Sequence, residues 1–231
     1  SMKFRWFDQA PNTNLQDNSL ISGHLLSDGK IEIRTPIGKI EVQLNTLGAH
    51  NYRNALAAAT VAVAAEIPLP QIKAGLEQFE PVSGRMQRIV LSQSITLIND
   101  TYNANPDSVI AAIDTLAALG GVRYLVLGDM GEVGTQGPAF HHEIGKYAAQ
   151  CGIEHFITIG SLTQESHKAY LSDRPDGDAR HFDDMDSLNT ELVQNLCKFD
   201  DRNLYILVKG SRFMRMERVA QALVKGVNPC S

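Results

Sequence analysis

Downstream of Gly84, short apolar strands alternate regularly with amphipathic helices, and this alternation constrains the fold more than any other feature of the sequence. Consecutive strands that are joined by helices pair in parallel, and the helices then cover both faces of the sheet. We therefore predict an α/β fold with a mostly parallel sheet that opens with a hairpin. The predicted strands span 88–91, 95–99, 124–127, 155–159, 181–182 and 204–208, and the predicted helices span 107–119, 138–150, 162–170, 187–198 and 213–224.

The sequence changes character near Pro81-Val82-Ser83-Gly84, and we place a domain boundary there. Before it, apolar and polar residues alternate between 20 and 47, as in a hairpin or meander, and two helices follow over 51–65 and 70–78. This first region, 1–81, is small and poor in sheet, so we interpret it as the end of a larger domain. Region 82–231 carries the α/β pattern.

Composition argues against two classes of partner. A net charge of −5 with 21 scattered Lys and Arg residues disfavours non-specific binding of nucleic acid. No apolar run reaches the length of a membrane span.

The cysteines Cys151, Cys197 and Cys230 lack the number and spacing of a disulfide framework or a metal site, which favours reduced thiols and a cytoplasmic location. The adjacent His141 and His142 lack a third ligand, so we predict no metal site.

Three loops follow predicted strands of region 82–231, at 100–105, 128–134 and 209–212. The carboxyl ends of parallel strands share one edge of a sheet, and ligands of α/β proteins bind at that edge. The sequence therefore predicts that these three loops lie together.

The first loop leads from a strand into the start of a helix. Pro106 keeps Asn105 out of the α region, and Asp107 and Ser108 suit the first helical turn. Polar residues between a strand and a helix N-terminus are typical of an anion site. An ordinary capped loop explains the same residues, and the residues alone leave both interpretations open.

The other two loops offer glycines and cations. Loop 128–134 lacks the G-x-G-x-x-G spacing of a dinucleotide site, so it is either a flexible loop that carries Asp129 and Glu132 or a backbone surface for a ligand. Lys209, Ser211 and Arg212 precede a helix and suit a carboxylate or a phosphate. A solvated basic turn is the alternative for the third loop.

Outside these loops, Asn51 and Asn54 share one helix face and are able either to contact a base edge or to cap the helix. Arg85, beside the boundary, is either a surface residue or a phosphate ligand. The sequence does not match a P-loop, because its nearest glycine pair at 23–29 is one residue too far apart and Ile31 replaces the required hydroxyl.

Several motifs, taken in order, resemble those of the ATP-dependent Mur ligases over about residues 20–224. They are Gly48-x-His50-Asn51-x-x-Asn54, Gly84-Arg85, Asp100-x-Tyr102-Asn103-Ala104-Asn105-Pro106, Leu127-Gly128-Asp129-Met130-Gly131-Glu132 and Val208-Lys209-Gly210-Ser211-Arg212. The wording Tyr-Asn-Ala-Asn-Pro resembles the branch of the family that adds D-alanyl-D-alanine.

The resemblance implies a domain assignment and a set of ligands. Region 1–81 would be the C-terminal portion of the central ATPase domain, and region 82–231 the Rossmann-like C-terminal domain. The implied cofactors are ATP and Mg²⁺, bound largely by family segments upstream of these motifs. The implied substrates are UDP-muramoyl tripeptide and D-alanyl-D-alanine, and the expected state is a monomer.

The resemblance also implies roles for individual residues. Arg85 and Asp100 would be catalytic, with Arg85 at the ATP phosphates and Asp100 near the ribose or the interdomain hinge. The other implied contacts are Asn51 and Asn54 with the adenine, Asn103 and Asn105 with the substrate cleft, and Lys209, Ser211 and Arg212 with the incoming dipeptide.

The implied reaction is amide ligation through an acyl phosphate during peptidoglycan precursor synthesis. Because no P-loop is found, we expect this chain alone to be inactive. A ligand-binding α/β module without catalysis is the main alternative. A nicotinamide-dependent oxidoreductase is disfavoured by the missing G-x-G-x-x-G motif.

Overall fold

A computed structural model of the chain describes residues 3–6, 20–26, 29–196 and 203–227. Its contacts divide the chain into two compact units, Ser1–Pro81 and Val82–Ser231, and each unit is described by itself. Cys197 and Cys230 lie outside the described residues, whereas Cys151 is a free, partly exposed thiol. Within the described part of the chain, every helix is too short or too polar to cross a bilayer.

The first unit is a four-stranded sheet with two helices. Its strands are β1 (Lys3–Trp6), β2 (Leu20–Leu25), β3 (Ile31–Thr35) and β4 (Gly38–Val42), and its helices are α1 (Ala49–Ala64) and α2 (Leu69–Gln78). β1 pairs in parallel with β2, and the other pairs are antiparallel. The predicted meander and both helices are confirmed. β1 was not predicted, because four residues are too few to establish a period.

The second unit is the α/β fold that the alternation predicts. Its strands are β5 (Gln87–Val90), β6 (Ile95–Asp100), β7 (Val122–Gly128), β8 (His155–Ile159), β9 (Asp178–Phe182) and β10 (Leu204–Lys209). Its helices are α3 (Pro106–Ala117), α4 (Gly137–Gln150), α5 (Thr163–Asp173), α6 (Met185–Leu196) and α7 (Glu217–Val227). The strand order is β5-β6-β10-β7-β8-β9. All neighbours are parallel except the β5–β6 hairpin.

Both faces of this sheet are covered by helices. Leu97, Val126 and Val208 belong to a buried cluster that includes side chains of α6 and α7. The alternate strand residues point to the opposite face, where α3 contacts β7 and β10, and α5 contacts β8. Strands that are apolar on both faces are the sequence signature of such a sheet.

One predicted helix begins later than expected. The prediction places the last helix from 213, but the chain first makes a 3₁₀ turn over Arg212–Met214, and α7 begins at Glu217. Arg215 ends this turn in the left-handed conformation, at φ 51° and ψ 45°. Arginine rarely adopts that conformation, so nothing in the local residue pattern predicts the interruption.

The central strands bring the three predicted loops together. In the parallel register, Lys209 at the end of β10 lies beside Asp100 of β6 and Leu127 of β7. The loops after these strands therefore start side by side at one sheet edge, as expected.

Candidate functional site

Lys209 connects the third loop to the first through a buried ammonium group. Its Nζ donates to Asp100 Oδ2 at 2.6 Å and to the carbonyl oxygen of Asn103 at 2.9 Å. Only 3% of the Lys209 side chain and 12% of the Asp100 side chain are exposed. A buried ion pair gains little net stability but fixes geometry, because each charge requires its partner. Lys209 thus sets the position of the loop that follows β6.

The Asp100 carboxylate is held on its other side as well. Its Oδ1 accepts the backbone N–H of Met86 at 3.0 Å. Asp100 therefore joins the segment after Gly84 to the end of β6 and to the end of β10. Its predicted contact with a ribose stays a prediction, and the structure gives it a structural role in addition.

Ser211 connects all three loops. Its hydroxyl donates to the carbonyl oxygen of Ala104 at 3.0 Å and accepts the N–H of Gly131 at 2.7 Å. Its own N–H donates to the carbonyl oxygen of Asp129 at 3.0 Å. Since Ser211 is only 3% exposed, these bonds are shielded from water. The hydroxyl that the sequence assigned to a substrate is occupied inside the protein.

Loop 128–134 is anchored at its start. The buried Asp129 carboxylate accepts the N–H groups of Leu162 and Thr163, at 3.0 and 2.8 Å, where α5 begins. Met130 donates its N–H to Nε2 of the fully buried His141 at 3.0 Å. These contacts fix the backbone over 129–131, and the interpretation of the rest of the loop as flexible stays a prediction.

The sequence suggests His141 only as a possible metal ligand, and its role in anchoring the loop is not predicted. Its Nδ1 lies 2.7 Å from the carbonyl oxygen of Gly137. A carbonyl only accepts, so Nδ1 carries the proton and Nε2 is the acceptor for Met130. The only available signal was a histidine one helical turn after Gly137, and such a signal is weak.

Asn105 acts as the N-cap of α3. Its side-chain oxygen accepts the N–H of Ser108 at 2.8 Å, and the Ser108 hydroxyl accepts the N–H of Asn105 at 3.0 Å. Asn105 is extended, at φ −134° and ψ 166°, as the following proline requires. The capped-loop interpretation is thereby confirmed for Asn105, and its predicted cleft contact stays a prediction. Asn103 contributes its backbone carbonyl to Lys209 and has an exposed side chain.

Arg85 lies against an aromatic ring. Its guanidinium carbon is 4.1 Å from the ring centroid of Tyr102, within the range of a cation–π contact. Gly84 supports this arrangement, since its carbonyl oxygen accepts the Tyr102 N–H at 2.9 Å. Gly84 has φ +79°, and a Cβ there would lie 3.1 Å from the Tyr102 nitrogen. The exposed Arg85 guanidinium therefore packs on a ring whose backbone is held in place by Gly84.

Arg212 is the exposed cation of the third loop. Its side chain is 68% exposed, and its Nη1 forms a long ion pair with Glu217 Oε1 at 3.7 Å. That distance is too long for a hydrogen bond. The guanidinium therefore remains available to a carboxylate or phosphate, while Lys209 and Ser211 beneath it fix the loop.

In the first unit, Asn51 and Asn54 line a cavity of about 520 Å³ between α1 and α2. Asn51 donates its amide to Thr46 Oγ1 at 2.8 Å and to the Leu47 carbonyl at 2.7 Å, so it braces the loop before α1. The suggestion that it caps the helix is wrong, since Gly48 is the N-cap and α1 has no side-chain cap. Asn54 is exposed one turn later.

In the second unit, buried Lys209 and Ser211 thus hold the loops in place, and the guanidinium groups of Arg85 and Arg212 are exposed. This arrangement suits binding of anionic groups by pre-positioned cations. Among the described residues, no group of three or more His, Cys, Asp or Glu side chains is placed to hold a metal ion.

Comparisons with known proteins agree with this architecture. Residues 84–212 match the family model described as Mur ligase, glutamate ligase domain. The chain is 37% identical over 215 residues to the UDP-N-acetylmuramoyl-tripeptide--D-alanyl-D-alanine ligase of Escherichia coli K12, covering 93% of this chain and 46% of that protein. The chain therefore spans about half the length of the curated relatives it matches.

Solved structures show the same fold. A crystal structure of MurF from Acinetobacter baumannii matches 90% of this chain and 47% of its own, with 28% identity and a TM-score of 0.69. The MurF ligase of Thermotoga maritima in complex with ADP matches 92% of this chain and 50% of its own, with a TM-score of 0.63. At 18% identity, that second likeness supports the fold alone.

Proposed function

The chain belongs to the Mur ligase family, and from this premise we propose that it provides the part of a peptidoglycan ligase that receives the amine substrate, D-alanyl-D-alanine. The observation that carries the proposal is Arg212, an exposed guanidinium on a loop fixed by buried Lys209 and Ser211. The E. coli relative, 37% identical to this chain, is a UDP-N-acetylmuramoyl-tripeptide--D-alanyl-D-alanine ligase, which supports the choice of substrate.

The proposed reaction joins this amine to the terminal carboxylate of UDP-N-acetylmuramoyl-tripeptide. ATP supplies the phosphoryl group that converts the carboxylate to an acyl phosphate, from which inorganic phosphate leaves when the amine attacks. Arg212 binds the carboxylate of the dipeptide and holds its amine in place. Arg85, on the Tyr102 ring, neutralises phosphate charge. Both contributions are positioning and electrostatic, which suits phosphoryl and acyl transfer.

The side chains fit a nucleotide in part. Asn54 is exposed at the cavity of the first unit, and Arg85 is exposed in the second, so each is available to a ligand. Asp100 fits less directly, because Lys209 and Met86 already engage its carboxylate. The described residues offer no ligand set for Mg²⁺, and we assign none to this chain.

We also propose that the protein acts as a cytoplasmic monomer.

Binding of D-alanyl-D-alanine tests the proposal directly. We expect Arg212→Ala to weaken the affinity of the chain for D-alanyl-D-alanine by about 10- to 100-fold, the value of one charge-assisted hydrogen bond, in titration calorimetry. Its thermal midpoint should not change, because the side chain is largely exposed. Arg218→Ala is the matched control, since this arginine is 52% exposed in the same unit but lies in the first turn of α7, outside the three loops. Equal affinities for Arg212→Ala and the wild type would contradict the assignment.

ATP turnover distinguishes a contributing part from a complete catalyst. Since the sequence has no P-loop, we expect this chain alone to form no ADP from ATP with both substrates present. A coupled assay of ADP release measures this. Sustained turnover would contradict the expectation, whereas dipeptide binding without dependence on Arg212 would favour a binding module of another kind.

A further inference from the structure

Phe213 is an exposed aromatic side chain at the edge of the candidate site. It follows Arg212 directly and is 63% exposed, whereas most large apolar side chains of the second unit are buried. Single exposed apolar residues are common and by themselves carry no meaning. Phe213 differs because one edge of its ring packs against the loop that follows β7.

One edge of the Phe213 ring packs against Gly131. A Cβ at Gly131 would lie 2.9 Å from Phe213 Cε1 and 3.3 Å from Cδ1, so the ring edge rests on the bare α-carbon. Gly131 is itself held, because its N–H donates to Ser211 Oγ at 2.7 Å. The Phe213 ring therefore packs on Gly131, which is hydrogen-bonded to Ser211 and so connects loop 128–134 with loop 209–212.

The turn that carries Phe213 is also fixed. Met214 donates its N–H to the carbonyl oxygen of Ser211 at 2.9 Å, and Arg215 then adopts the left-handed conformation. Met216 after it is fully buried. The turn thus stands between buried Ser211 and buried Met216 and leaves Arg212 and Phe213 exposed together.

We propose that Phe213 is a specificity-determining residue, whose exposed ring contacts the short aliphatic side chains of the amine substrate that Arg212 binds. This inference rests on the proposed function. Adjacent Cα atoms lie about 3.8 Å apart, and an extended dipeptide spans about 7 Å, so one dipeptide can contact both residues. Methyl groups that pack against the ring gain free energy by leaving water, whereas the ring offers a carboxylate side chain no hydrogen-bond partner.

Discrimination between two dipeptides tests this role. The probes are D-alanyl-D-alanine and glycylglycine, which share both charged termini and differ by two methyl groups. We expect the wild-type chain to prefer D-alanyl-D-alanine, by about fourfold for each methyl group in contact. Phe213→Ala should abolish most of this preference while leaving the affinity for glycylglycine within about twofold, and Phe213→Leu should retain part of it. Phe79→Ala is the control, since Phe79 is 58% exposed in the first unit.

The outcomes separate this inference from the proposed function. If wild-type binding depends on Arg212 but Phe213→Ala keeps the full preference, or loses both ligands equally, the role of Phe213 is overturned and the proposed function stands. If the wild-type chain binds neither dipeptide, or binds them without dependence on Arg212, both fail. Far-ultraviolet circular dichroism of each variant verifies that the fold is retained.

Discussion

Lys209→Met is expected to lower the free energy of unfolding of the second unit by about 3–5 kcal/mol, the usual cost of removing one partner of a buried ion pair. Methionine replaces the aliphatic stem but leaves the buried Asp100 carboxylate without its cation, 2.6 Å away in the wild type. The Asn103 carbonyl also loses its donor. Urea unfolding should show a lower midpoint with an unchanged m value.

Two further variants give this prediction its controls. Lys168→Met removes an exposed lysine, 61% accessible, from its pair with Glu165, and its effect should be far smaller. Asp100→Asn combined with Lys209→Met removes both charges and should recover part of the loss, since no unpaired charge remains buried. A loss for Lys209→Met as small as that for Lys168→Met would contradict the buried pair.

Asp129→Ala is expected to lower the free energy of unfolding by about 2–4 kcal/mol, because two N–H groups at the start of α5 lose their acceptor. Thr163, one of the two donors, is fully buried, so water cannot replace the carboxylate there. Loop 128–134 would also lose its anchor. Denaturant unfolding measures the loss, and hydrogen exchange of the Leu162 and Thr163 amides locates it.

Asn105→Ala is the matched control for Asp129. Asn105 also caps a helix through one backbone N–H, but its side chain is exposed, so water can take its place. We expect its loss to be about 1 kcal/mol, typical of an N-cap. If the two substitutions cost the same, burial of the Asp129 bonds contributes nothing, and the account of this anchor is wrong.

The fold was largely predictable because its elements depend on local patterns. Strands such as Tyr124 to Leu127 are continuous apolar runs, and helices such as that after Pro106 have a 3.6-residue period and start signals. The predictions of secondary structure fail at segments that have no hydrophobic periodicity. β1 has only four residues, and the delayed start of α7 depends on the left-handed Arg215.

The candidate site was predictable in position but not in atomic roles. Because all three loops follow predicted parallel strands, the sequence placed loops 100–105, 128–134 and 209–212 at one edge, and the register confirms it. From the sequence alone, Lys209, Ser211 and Arg212 are all candidate ligands for a carboxylate or a phosphate. The structure separates them, since Lys209 and Ser211 are buried connectors and Arg212 alone among the three is exposed. Their assignment to a substrate stays a prediction.

The sequence by itself determined the α/β class, the edge where the loops meet and the family resemblance, because hydrophobic periodicity, the alternation of strands with helices and short motifs depend on residues that are close along the chain. Only the tertiary structure decided which polar groups are used within the protein. Lys209 and Asp100 are 109 positions apart, and Ser211 and Gly131 are 80 positions apart. Whether a lysine binds a substrate or an aspartate depends on its burial, and burial is set by packing across the whole sheet.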